Sequence, residues 1–444
     1  MQSEFVLTPT YVSTLTPMPQ LRRSWCACAL ALCFTLGLAM AASAQARMLT
    51  VLHTFTGGLD GANPRGELIR DSAGNLYGTT RNGGSATLCG GFGCGTVFKI
   101  DSSGNETVFY RFTGGADGSV PLGGVIRDAA GNLYGTTDTG GASGSGTVYK
   151  LDKNGNETTL YSFTGFDDGG NPEGSLVRDA AGNLYGTTVA GGIFNCVQGF
   201  GGACGTVFKL DTTGAETVLY RFQGKTDGSM PFSGLALDGA GNLYGTAWNG
   251  GHEDPNSLLC DVFGCGTVFK IDTTGTFSVL YTFLGGKDGD EPEARVILDA
   301  VGNVYGTTYR GINSTGCPFG CGVIFKVNGA GKETVLYRFV GGNKAASPGS
   351  AKLLRGVGGV IWGATQFGGA SGNGVVYRVD PGGKETDLHT FTGGADGASP
   401  ASGVIRDPAG NFYGATYNGG DLTCKLGGGT GCGTVYKIAA VATP

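Results

Sequence analysis

The stretch Gly131-Asn132-Leu133-Tyr134-Gly135-Thr136-Thr137 decides the fold, because the chain repeats it. GNLYGTT also starts at Gly74 and Gly182. Variants follow as GNLYGTA from Gly241, GNVYGTT from Gly302, GVIWGAT from Gly359 and GNFYGAT from Gly410. The glycine after the aromatic falls at Gly78, Gly135, Gly186, Gly245, Gly306, Gly363 and Gly414, at intervals of 57, 51, 59, 61, 57 and 51 residues. Self-similarity at such a period marks a repeat architecture.

Outward from the motif, each unit holds four short runs rich in β-branched and aromatic residues, parted by Gly, Asn, Asp or Pro. In unit two they cover 124–127, 133–137, 146–151 and 158–163, and are called strands A, B, C and D. Asp128 to Asn132 predicts a tight A–B hairpin and Asp152 to Asn156 a C–D hairpin, each with a glycine free to take positive φ. No run has helical periodicity. Four antiparallel strands in a repeat of about 50 residues match a propeller blade. The expectation is an all-β, seven-bladed β-propeller. Its units run at about 64–112, 121–163, 172–222, 231–283, 292–339, 348–391 and 400–438 plus 49–55.

The two ends complete one blade. Thr50 to Phe55 reads as a D strand, and Gly433 to Ile438 as a C strand. The last unit lacks its own D strand, so the N-terminal one is expected to join it and close the ring. Closure removes the edges an open array would present.

These units resemble the GloVer-type tandem repeat of choice-of-anchor extracellular repeat proteins, through the recurring strings GNLYGTT, CGTVFKID and ETVLYRF over residues 49 to 438. The resemblance implies an exported repeat protein with no established activity. The chain departs from the family in carrying no recognisable anchor, which favours release.

Composition agrees with turns and strands. Of 444 residues, 87 are Gly without a collagen period, and 40% hydrophobic content is too high for a disordered chain. A net charge of −5 without basic runs argues against nucleic acid and against an anionic membrane surface. Residues 1–44 read as a signal peptide: Arg22 and Arg23, an apolar run from Trp25 to Ala42, then Ala42-Ser43-Ala44. The run is also long enough for an uncleaved anchor. The expected location is secreted or periplasmic, with residues 45–444 as one propeller domain, monomeric and off the membrane once the leader is cleaved.

Cys26, Cys28 and Cys33 leave with the leader. The other ten form five close pairs, Cys89/Cys94, Cys196/Cys204, Cys260/Cys265, Cys317/Cys321 and Cys424/Cys432, all in B–C loops. The two units without cysteine have short loops there, 140–146 and 368–374. Long loop and cysteine pair go together, as disulfide staples would require in an exported chain. Metal binding would need four ligands where each loop offers two thiols, and free thiols are the third reading.

No catalytic constellation emerges. A hydrolase or lyase needs a nucleophile and base, a carboxylate pair or a metal triad, and the three His are scattered. His53 and His389 stand where other D strands have Tyr and are expected to be packed, while His252 lies beside Glu253 and Asp254 in a loop. The D–A loops repeat Asp-Gly at Asp60, Asp117, Asp168, Asp227, Asp288 and Asp396, which reads as a turn each blade needs, with an axial cation site as the rival. No cofactor is expected, and a structural cation is left open.

One position varies while its neighbours repeat. Three residues past the reference glycine come Arg81, Asp138, Val189, Trp248, Tyr309, Gln366 and Tyr417. Strand B ends there, on the face shared by the B–C and D–A loops. Trp248, Tyr309 and Tyr417 are the candidate binding residues, with Trp248 and Tyr309 as ring neighbours the favoured pair, because aromatic side chains stack on sugars or pack on partners. The expected function is extracellular recognition or scaffolding, with carbohydrate or a surface polymer as ligand. The alternatives are a propeller lyase or hydrolase using loop carboxylates and a cation, and a structural envelope protein.

Overall fold

The computed structural model of the chain describes residues 48–85, 87–194, 196, 202–251, 260, 263–311, 316–317, 320–426 and 429–440. The leader assigned to 1–44 lies outside the described residues, as do His252, Glu253 and Asp254. All the described residues belong to one compact unit. Among them no helix is long and apolar enough to cross a membrane.

Each letter of the repeated motif has a physical job. The leucine of GNLYGTT enters the core, and Leu133 is fully buried. The tyrosine hydroxyl reaches back to the turn aspartate, Tyr134 to Asp128 at 3.0 Å. The asparagine donates to the same carboxylate through its amide (2.8 Å) and through Nδ2 (2.7 Å). One Asp thus ties the hairpin it opens, which explains its retention in six units and the altered turn of unit six, where Gly356 stands instead. The reference glycine is needed for space. A Cβ on Gly78 would meet the Phe98 ring at 2.5 Å, and Gly245 stands in the same relation to Phe269. The final threonine closes the ladder to strand C through its hydroxyl, as in Thr137 to Thr147 at 2.8 Å.

Seven antiparallel blade sheets result, one per unit, each with four strands, to which blade one adds the short Ala62–Pro64 as a fifth. In unit two the strands are Ile126–Arg127, Leu133–Thr137, Thr147–Leu151 and Glu157–Ser162, in spatial order A-B-C-D. Strand A is shorter than the sequence suggests. Gly123 and Gly124 lie close against the backbones of Gly174 and Glu67, so here the chain packs against neighbouring blades rather than continuing a ladder. The fold is an all-β, seven-bladed propeller with four antiparallel strands per blade. The short 3-10 turns Cys89–Gly91 and Val357–Gly359 are its helical pieces among the described residues.

The blades meet through a repeated aromatic pair. A phenylalanine just past strand D meets the strand C aromatic of the next blade edge to face: Phe112 with Tyr149 at 5.0 Å, Phe163 with Phe208 at 5.1 Å, Phe283 with Phe325 at 5.1 Å. Phe55 and Phe98 repeat this geometry at 5.1 Å between the last blade and the first. Such pairs add roughly 0.5–1.5 kcal/mol each beyond the area they bury. Leu49–Thr54 pairs antiparallel with Thr434–Ile438, so the fourth strand of blade seven comes from the start of the described chain.

All five cysteine pairs are disulfides within their own B–C loops: Cys89–Cys94, Cys196–Cys204, Cys260–Cys265, Cys317–Cys321 and Cys424–Cys432. The sulfurs of Cys317 and Cys321 lie where a Cβ on Gly341 would be, so that bridge packs its loop onto the adjoining D–A turn.

Candidate functional site at one axial end of the ring

The residue before the proline that precedes each strand A, such as Pro121, builds the inner rim. Asn63, Val120, Asn171, Met230, Glu291, Ser347 and Ser399 all take left-handed backbone, with φ between 51° and 59°. A non-glycine residue there costs on the order of 1–3 kcal/mol and persists only where the surroundings enforce it. The enforcement is a double hydrogen bond. Each of these amides donates to the carbonyl just before strand C of the preceding blade, Val120 to Cys94 at 2.8 Å and Asn63 to Cys432 at 2.8 Å. The left-handed residue's own carbonyl accepts from the amide of the variable residue of its blade: Trp248 to Met230 at 3.2 Å, Tyr309 to Glu291 at 2.9 Å, Tyr417 to Ser399 at 3.0 Å. The variable side chains are therefore pinned by their backbones at one rim.

Their side chains do not all go to one place. Tyr309, Gln366, Tyr417 and Arg81 line a cavity of about 390 Å³ together with Arg65 and Glu293. Arg81 Nη1 donates to the Tyr417 hydroxyl at 2.9 Å, and Asn63 Nδ2 donates to the Tyr417 carbonyl at 2.9 Å. Trp248 is not among the residues lining that cavity. It is half-buried and meets Phe232 edge to face at 5.1 Å. Val189 is buried, and Asp138 accepts from Asn171 Nδ2 at 3.2 Å. The neighbours Trp248 and Tyr309 are thus not brought together in the cavity, whereas Tyr309 and Tyr417 are, with blade six between them.

Toward the axis the cavity passes into a narrow space of about 50 Å³ that Arg65, Glu173, Glu293, Glu67 and Arg295 help to line. Arg65 lies 3.5 Å from Glu173 and 3.4 Å from Glu293, bridging carboxylates of blades three and five. Glu67 lies 3.4 Å from both Arg295 and Lys352. Burial pushes Glu173 up to about 7; Arg65 opposes this, while Asp138 and Glu293 add to it. Burial also raises Glu293, against Arg65. At Glu67 burial acts upward too, but Lys352 and Arg295 outweigh it and hold the carboxyl below its ordinary value. Burial and the Glu293 carboxylate both raise the Tyr309 phenol.

Sequence reasoning missed Arg65, Glu173 and Glu293. A signal was present: the residue after the proline that precedes strand A is as variable as the rim position, reading Arg65, Leu122, Glu173, Phe232, Glu293, Gly349 and Ala401. The D–A loop aspartates face their own turns. Asp117 accepts from the Thr113 amide (2.7 Å), the Thr113 hydroxyl (2.6 Å) and the Tyr110 hydroxyl (3.0 Å). His389 takes the place of such a Tyr, 3.1 Å from Asp396, and packs edge to face on Phe391. His53 repeats this with Asp60 at 3.3 Å and Phe55. Among the described residues no group of three or more His, Cys, Asp or Glu side chains is arranged to hold a metal ion.

A family model described as the Gloeobacter/Verrucomicrobia repeat matches residues 34–200, 89–319 and 310–443. No curated protein matches the chain. Among solved structures, the chain is similar to the extracellular domain of a protein assigned as a one-component system from B. thetaiotaomicron. That match has a TM-score of 0.50 at 14% identity and covers 90% of this chain but 43% of that one. It is also similar to a protein assigned as a gluconolactonase (TM-score 0.39, 12% identity, 72% of this chain and 89% of that one). A third is a luciferin-regenerating enzyme (TM-score 0.42, 12% identity, 89% and 96%). At 14% identity the first of these likenesses speaks to the fold alone.

Proposed function

We propose, from the premise that the chain belongs to the Gloeobacter/Verrucomicrobia repeat family, that this propeller is a recognition protein working outside the cytoplasm and that it binds carbohydrate at the rim cavity. One observation carries the reading. In a ring of near-copies, a position that varies from blade to blade supplies Arg81, Tyr309, Gln366 and Tyr417 to a single cavity. Two phenol rings with an amide and guanidinium groups suit a sugar, whose C–H face stacks while its hydroxyls bond. Five disulfides and the apolar leader support an oxidising compartment.

A glycan array on the purified protein is the test, followed by titration calorimetry of the best glycan with Tyr309→Ala and Tyr417→Ala. Losing one stacking ring is worth roughly 1–2 kcal/mol, so each variant should bind about tenfold more weakly while melting at nearly the wild-type temperature. Full affinity in both variants sinks the assignment of this cavity.

A hydrolase or lyase reading has one support. Glu173 holds its proton up to about pH 7 beside a second carboxyl, Glu293, as a general acid should. Turnover of an array hit, lost in Glu173→Gln with binding retained, would decide for it.

A further inference from the structure

The rim cavity continues outward. Tyr309 and Phe367 line it, and both also line a second cavity of about 390 Å³ that runs past Cys317 and Gly316 toward the outside of the ring. The second cavity lies where loops of unequal length meet. Blade five carries a disulfide-bridged B–C loop, whereas blade six has the short glycine-rich segment 368–374. Blade six also lacks the usual Asp-Gly turn, yet its D–A loop keeps the bridge made in the other blades, such as Ser119 with Thr139, here extended to Ala345 and Ala346 with Gly368 and Phe367. That small ladder holds Phe367 with 45% of its surface exposed, as an aromatic shelf between the two cavities.

The two halves differ in chemistry. The inner half holds Arg81, which donates to the Tyr417 hydroxyl; Asp138 and Glu173 lie close enough to feel its charge, but no ion pair to it is made among the described residues. The outer half is walled largely by Gly and Ala together with Cys317, Ser347 and Arg310, which is paired with Glu291 at 2.9 Å, and Phe367 stands at its entry. A guanidinium held by a phenol in a cavity keeps its fork of donors for an oxyanion.

We infer that the two cavities form one groove for an acidic saccharide chain. A carboxylate- or sulfate-bearing sugar sits against Arg81, and the chain then passes over Tyr309 and Phe367 between blades five and six. This rests on the carbohydrate reading above and adds the charge, the length and the direction of the ligand.

The test is calorimetry of the full exported protein with galacturonate oligomers of one to six residues, sulfated galactan oligomers and neutral cello-oligomers of matched length. Affinity should rise at least tenfold from the monomer to the tetramer of an acidic series, and matched neutral chains should bind at least tenfold more weakly. Galacturonate against sulfated galactan identifies which acid is read. Arg81→Gln should cost the acidic tetramer about tenfold and the neutral one severalfold less. Phe367→Ala should remove the gain beyond the dimer and cost the dimer itself much less, with melting temperatures held in both. Neutral and acidic chains binding alike, or Phe367→Ala leaving the length gain intact, overturns the inference while the carbohydrate reading stands. If no glycan of any series binds, both fall together.

Discussion

Arg81 of blade one donates to the hydroxyl of Tyr417 of blade seven at 2.9 Å, so two variable rim residues hold each other across the seam of the ring. The pair divides two tasks usually joined in one side chain. The ring of Tyr417 offers a face, and its hydroxyl orients a cation.

Tyr417→Phe separates them. It keeps the stacking face and releases Arg81, so affinity for an acidic glycan should drop about three- to tenfold, less than in Tyr417→Ala. Binding of a neutral glycan should change little, since only the orientation of the charge is lost. Calorimetry with both ligands checks this, and equal losses for the two would show that the hydroxyl serves the sugar directly.

Stability should fall between about pH 4.5 and 7. Glu216 and Glu333 open D strands at blade interfaces, and each is raised to about 7, first by burial and then by the carboxylate of Asp168 or Asp288, against Arg221 or Arg338. Unfolded, each titrates near its ordinary value of 4.5. Both states are protonated below that value. As pH rises, the unfolded chain ionises first and gains, until the folded groups ionise near 7. The turn aspartates such as Asp128 are shifted downward, so their pH dependence lies below 3.8 and does not mask this window. Melting temperatures across pH 4 to 8 should show the decline, and Glu216→Gln with Glu333→Gln should lessen it, leaving the share of the likewise raised Glu173. A double variant with the full slope would place the effect elsewhere.

The bridges should be complete in the exported protein. Its unreduced mass should lie roughly 10 units below the fully reduced value, two hydrogens for each of five bridges. Replacing Cys317 and Cys321 together by Ser should cost about 2 kcal/mol in a denaturant melt, the chain-entropy figure for so small a loop. Alkylation of loop thiols without reduction would contradict the first expectation.

Removing residues 48–54 should strip strand D from blade seven and leave Thr434–Ile438 as an exposed edge. The truncated chain should aggregate or melt far below the parent in light scattering and calorimetry. A monomer with an unchanged melt would show that the N-terminal strand is dispensable.

Much of this was legible because the repeat does the reading. The pair of facing glycine and aromatic that shapes each blade, Gly78 with Phe98, recurs in all seven units within the same two motifs, and the cysteine pairs declare themselves by loop length. The left-handed residues were not legible. Val120, Met230 and Glu291 carry no local signal for that backbone, because hydrogen bonds from two blades impose it. Which rim residues converge was also hidden. Tyr309 and Trp248 are adjacent in the ring, yet Phe232 occupies Trp248, and Gln366 between Tyr309 and Tyr417 leaves the cavity open. Such outcomes depend on side chains from different units meeting, which no single repeat encodes.

The pairing of Leu49–Thr54 with Thr434–Ile438 also sets the order of events in folding. Six blades are assembled from strands that follow one another along the chain, and each can form as soon as its own residues are available. The seventh must wait for both ends. Loop-closure entropy grows slowly with length, so this last contact is little harder to hold than the others once made, but it is the slowest to find. Until it forms, the partly built ring displays an unpaired strand and the unfilled place of Phe55 against Phe98. The seam is therefore where a nascent molecule is most exposed to pairing with a second chain, and where a mature one first opens.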